Sequence, residues 1–102
     1  MPIYHIVLFK LKPDADPVRV KRWQDVAEAM VGKVPGLISL HAGPPLEGMA
    51  ERAKGFNMGV VIVVESIEAL GAMFKHPSHD ELHVLHKEVC EEGSGVGYDI
   101  QF

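Results

Sequence analysis

Apolar residues along this chain alternate between two spacings, and the switches between them mark out its elements. Ile3 to Leu11 has the two-residue alternation of a strand, with apolar side chains in both sets. Ile3, Val7 and Phe9 share one face with His5, while Tyr4, Ile6 and Leu8 make the other. A strand that is apolar on both faces is covered on both faces. Lys12 to Pro17 is a turn in which Asp16 suits an N-cap and Pro17 the first helical position, where a missing N–H costs nothing.

From Val18 to Val34 the spacing becomes helical. Val20, Trp23, Ala27, Met30, Val31 and Val34 fall on one stripe, with Arg19, Lys21, Arg22, Gln24, Asp25 and Glu28 mostly outside it. Pro35-Gly36 ends that helix and starts a second strand, Leu37 to Ala42, which Gly43-Pro44-Pro45 breaks. An exposed loop carrying Glu47, Glu51, Arg52 and Lys54 leads to Phe56–Glu65, whose run Val60 to Val64 fits a central strand buried on both faces. Ser66 caps the next helix, with Ile67, Leu70 and Phe74 expected on its inner side. Pro77 opens a further helical stretch through Leu82, Leu85 and Val89. Glu91 to Gly95 is a turn, and Val96 to Phe102 is a last strand.

The order β-α-β-β-α-β predicts an α+β, ferredoxin-like fold: a four-stranded antiparallel sheet with two helices on one face. The other face, with Tyr4, Ile6 and Leu8, has nothing left in the chain to cover it. A second copy of the same sheet is the simplest lid, so the expected assembly is a homodimer forming a dimeric α/β barrel. The chain has 102 residues, enough for one small domain spanning residues 1–102. At this size folding buries only about 60–65% of the unfolded surface, which makes self-association useful.

A net charge of −4 argues against nucleic acid as a partner, since that partner requires a basic face. No stretch is long and apolar enough to span a membrane. Met1-Pro2 runs directly into a strand pattern, so no leader is expected. The single cysteine, Cys90, excludes an intrachain disulfide and points to a reducing cytoplasm.

Histidine is where the chemistry concentrates. His79, His83 and His86 stand at i, i+4 and i+7, one stripe of a helix that Cys90 extends. The His-x-x-x-His spacing suits two metal ligands. However, His79-Asp80-Glu81-Leu82-His83 lacks the glutamate position of a zinc protease, and a solvated or dimer-edge face for His83 and His86 is the expectation. No metal and no cofactor are called for. His5 interrupts an apolar strand face, which requires a partner for its ring, either in a core or in a pocket. His79 reads either as a structural helix-start residue or as a general base held in one tautomer.

Several segments together resemble the stress-responsive dimeric α/β-barrel family, Dabb. They are Tyr4-His5-Ile6-Val7-Leu8-Phe9-Lys10, Val34-Pro35-Gly36, Gly43, Arg52-Ala53-Lys54-Gly55-Phe56, His76-Pro77-Ser78-His79 and Tyr98-Asp99. The His-Pro-x-His motif is the most specific of them, and the resemblance covers nearly the whole chain. It implies a homodimeric ferredoxin-like barrel. By similarity to the family's plant polyketide cyclase that makes olivetolic acid, a cofactor-free enzyme, it implies His79 as base, Asp99 as its orienting carboxylate and His5 in the pocket. Met73 stands where that cyclase has a carbonyl-polarising tyrosine, and His5 is the candidate to replace it.

The expected function is therefore proton abstraction next to a carbonyl on a small, largely apolar carbonyl or aromatic ligand, polyketide cyclase- or lyase-like in kind. The catalytic residues would be His79, His5 and Asp99. The pocket would be lined by Val7, Phe9, Trp23, Ala27, Met30, His41, Met73, His76 and Leu82. The alternative is a non-catalytic, stress-associated or small-molecule-binding barrel. The haem-degrading monooxygenases share the fold, but the chain carries no clear axial-ligand motif for them.

Overall fold

A computed structural model describes residues 1–102. Its elements are β1 (Ile3–Phe9), α1 (Pro17–Glu28), β2 (Leu37–Gly43), β3 (Met58–Val64), α2 (Ile67–Lys75), α3 (Pro77–Val89) and β4 (Val96–Gln101). The strands form one antiparallel sheet in the order β2-β3-β1-β4, with the helices on one face, a ferredoxin-like α+β arrangement. No helix is long and apolar enough to cross a membrane.

Register sorts the strand residues between the two faces, because directly opposed residues of an antiparallel pair share a face. His5 lies opposite Ile62 on β3 and Asp99 on β4, and Val7 lies opposite Val60. With Ile3, Met58, Val64 and Leu40 these build the helix-facing side, where the core sits. Trp23, Ala27 and Met30 press on it from the other layer, together with Met73, Leu85 and Val89. The opposite face carries Tyr4, Ile6, Leu8, Val61, Val63, Val96, Tyr98 and Ile100. Most of these are exposed within the single chain: Tyr98 keeps 65% of its surface and Val61 41%.

The helix starts follow local chemistry. Asp16 accepts from the Val18 N–H with Pro17 behind it, and Ser66 accepts from the Ala69 N–H. The residue before a proline is pushed towards extended backbone. His76, before Pro77, therefore has φ −73° and ψ 142° and splits the second covering layer into α2 and α3.

Three sequence expectations shift. α1 ends at Glu28 rather than Val34, and the chain continues through turns bonded Met30 N–H to Ala27 O and Val31 N–H to Glu28 O, with Gly32 at φ +92°. These tighter turns still bury Met30 and Val34. β1 leaves the ladder after Phe9, and Leu11 keeps a bridge only to Cys90. The buried face of α2 is Ala69 and Met73 with Leu70 beside them, while Ile67 and Phe74 are exposed. That helix is rotated on the sheet relative to the expected stripe, a setting decided by packing rather than by spacing.

Candidate active site

The site is a cavity of about 190 Å³ between the helix-facing side of β1 and β3 and the three helices. β1 supplies His5, Val7 and Phe9, β3 supplies Val60 and Ile62, and α1 supplies Trp23 and Ala27, with Met30 just beyond its end. Met73 comes from α2, and α3 supplies Leu82 with His79, His83 and His86. The lining is apolar apart from four imidazoles and the one indole. An apolar wall with a few convergent polar groups is the usual make-up of a small-molecule site.

His5 is fixed by strand pairing. Asp99 lies directly across the β1–β4 ladder, and its Oδ1 is 2.6 Å from His5 Nδ1. A carboxylate only accepts, so the proton between them sits on Nδ1 and the neutral ring leaves Nε2 as a free acceptor. Phe74, at the end of α2, touches His5 and His79 edge-on, each at 5.4 Å between centroids.

The phase of α3 sets the other three histidines. His76 caps the helix, its Nδ1 accepting from the Ser78 N–H at 3.1 Å, and Pro77 follows at the first helical position. His79 then falls in the first turn facing the cavity, and His83 and His86 follow one and two turns later. The His83 and His86 rings lie nearly parallel at 6.1 Å, and His86 packs on Phe9 at 4.4 Å. Burial lowers the pKa of His79, and the charges of His83 and His5 lower it further against an opposing pull from Asp80. His86 is lowered by burial first and by His83 second. Both rings are neutral at neutral pH, each able to take up one proton and to donate another.

Nine of the residues expected at the site line the cavity: His5, Val7, Phe9, Trp23, Ala27, Met30, Met73, His79 and Leu82. Three expectations are corrected. Asp99 bonds His5 rather than His79, because register opposes it to position 5. His76 spends its acceptor on the helix cap and does not line the cavity. His41 lies opposite Val61, which lies opposite Ile6, and so belongs to the outer face.

Conversely, His83 and His86 line the cavity rather than a purely solvated edge, and Val60 and Ile62 join them. The i, i+4, i+7 spacing was the signal for the histidines, and strand parity for the β3 pair. No three of the histidine, cysteine or acidic side chains converge as a ligand set. Cys90, at the end of the stripe, is buried, which pushes its thiol up to about 11, far from the thiolate a metal would need.

A family model described as the stress responsive A/B barrel domain, Dabb, matches residues 3–100. The chain belongs to the Dabb family. The Dabb chain is also similar to several solved structures. One is a dimeric ferredoxin-like protein of unknown function from Jannaschia sp. CCS1, with 18% identity, a TM-score of 0.87 and all of both chains covered. Another is a dimeric protein of unknown function and ferredoxin-like fold from Bacteroides fragilis, with 21% identity, a TM-score of 0.81, and 99% of this chain and 96% of that one covered. A third is a hydroxynitrile lyase from Passiflora edulis, with 20% identity, a TM-score of 0.81, and 98% and 94% covered. At these identities the likeness is one of fold. No curated protein sequence matches the chain.

Proposed function

We propose that this Dabb protein is a cofactor-independent enzyme that moves a proton next to the carbonyl of a small, largely apolar compound. The observation that carries the reading is a pair of imidazoles, His5 and His79, on the wall of one apolar cavity, with His5 Nδ1 tied to Asp99. In the proposed step a neutral imidazole nitrogen forms an N–H bond as the substrate's α-C–H bond breaks. The electron pair moves onto the carbonyl oxygen, and return of the proton completes the turnover. His79 is the proposed base, with its lowered pKa keeping it neutral, and the Asp99-held Nε2 of His5 is the second proton acceptor.

The cavity's volume favours a compact ligand. A 150 Å³ cavity accommodates benzene, so about 190 Å³ suits one substituted ring rather than a long chain. A lyase among the structural neighbours supports chemistry on this fold in general terms only.

We further propose that two copies pack outer sheet face to outer sheet face. The uncovered apolar patch from Tyr4 to Ile100 supports this, as do neighbours described as dimeric. A non-catalytic binding barrel is the second reading. It is favoured by Met73, a buried thioether where the related cyclase has a hydroxyl.

Phenylacetone in D₂O separates the two. An enzyme accelerates deuterium incorporation at the carbon next to the carbonyl, followed by proton NMR. His79→Ala then lowers the catalysed rate by about 10²–10⁴-fold, the usual worth of a positioned general base. Binding without faster exchange than in buffer would establish the binding barrel instead.

A further inference from the structure

Of all buried side-chain nitrogens and oxygens in the chain, one has no hydrogen-bond partner: Nε1 of Trp23. Trp23 is 1% exposed, so in this packing no water-sized atom reaches its N–H, although the ring lines the cavity that holds His5 and His79. A buried donor left unmet is costly, which is why such groups are rare in native structures and call for a reason. Its aromatic neighbour Phe9 lies edge-to-face at 5.7 Å and 87°, a contact that offers an N–H weak compensation at best.

A proton transfer next to a carbonyl also needs a donor for the oxygen, which gains charge as the proton leaves. His5 does not supply it in its neutral form, because its one N–H is committed to Asp99 and Nε2 only accepts. Met73 has no hydrogen to donate. His79 and His86 are half-buried and His83 is exposed, so their N–H groups have solvent as an alternative partner that the indole lacks.

We propose that a small turn of the Trp23 ring into the cavity makes its indole N–H the donor that anchors the oxygen of the ligand held there. The inference rests on the carbonyl-ligand reading above and assigns the oxygen's partner within it. Trp23 then selects compounds carrying an acceptor over hydrocarbons of the same shape. A bond made against this apolar wall is stronger than the same bond in water.

Trp23 is the chain's one tryptophan, so its indole N–H gives a single, assignable resonance. The probes are phenylacetone and methallylbenzene, in which a C=CH₂ group replaces the carbonyl. Phenylacetone should move the indole proton downfield well beyond the ring-current shift that both probes share. Trp23→Phe, which keeps an aromatic ring and removes the donor, should weaken phenylacetone by roughly tenfold and leave methallylbenzene unchanged. If both probes move the indole proton alike, or lose affinity alike in Trp23→Phe, Trp23 is only a packing residue and the proposal is overturned while the cavity stands as a ligand site. If neither probe binds the native protein at millimolar concentration, the ligand reading falls and this assignment with it. The resonance shift is measured on the unmodified chain, so the test does not depend on the variant folding.

Discussion

His79 and His86 owe their character to a balance that one residue's surroundings set. Burial opposes charging of both rings, and His83 between them adds repulsion. The unfolded chain therefore takes up protons at a higher pH than the native one. The sign follows: this contribution to stability is present in full above the ordinary histidine value of 6.5, and it is lost as pH falls through the lowered native values. The urea midpoint should accordingly drop between pH 7 and pH 5. His79→Gln and His86→Gln should each flatten that drop, and a slope unchanged in both variants would contradict the assignment. At this scale the sequence singled out residues that line the cavity and assigned one of their partners wrongly. The His-Pro-x-His motif singled out His79, but the carboxylate expected on it serves His5, 94 positions away along the chain.

The elements position these residues through a few tight contacts. Gly36, between the turns after α1 and β2, has φ +82°, and a Cβ there would lie 2.7 Å from the Ala69 Cβ on α2. Gly36→Ala adds backbone strain to a collision between a strand end and a helix, and should cost at least about 2 kcal/mol in urea unfolding. Gly71, inside α2, has open space around it, and Gly71→Ala should stabilise by about 0.5–1 kcal/mol. Equal effects at the two positions would show that the close packing of α2 over the β2 entry is not what holds that helix. The helix starts were legible from sequence because caps are local: Asp16, Ser66 and Pro77 act on N–H groups within three residues. The rotation of α2, which buries Met73 and exposes Phe74, was not, because neighbouring stripes of that helix are almost equally apolar.

For the whole molecule the question is the uncovered sheet face. Val61 stands near its middle, exposed in the single chain, so a charge there costs the lone subunit little. Across a sheet-to-sheet contact the same charge would be buried without a partner and cost several kcal/mol. Light scattering at micromolar concentration should show a dimer for the native chain and a monomer or aggregate for Val61→Glu. A native monomer, or a Val61→Glu dimer of unchanged thermal stability, would remove the proposed interface.

Spacing along the chain was enough to determine four strands, the helix starts and the two faces of the first strand. Those features depend on residues within a few positions of one another and on alternation that the backbone imposes. Tertiary structure alone decided which histidines meet the cavity, which one Asp99 holds, and that His41 looks outward. Each of these turns on strand register or on the rotation of a helix about its axis. A shift of one residue in either moves a side chain to the opposite face, and the energy that selects the register is collected over the whole packed interface rather than at the residue that moves.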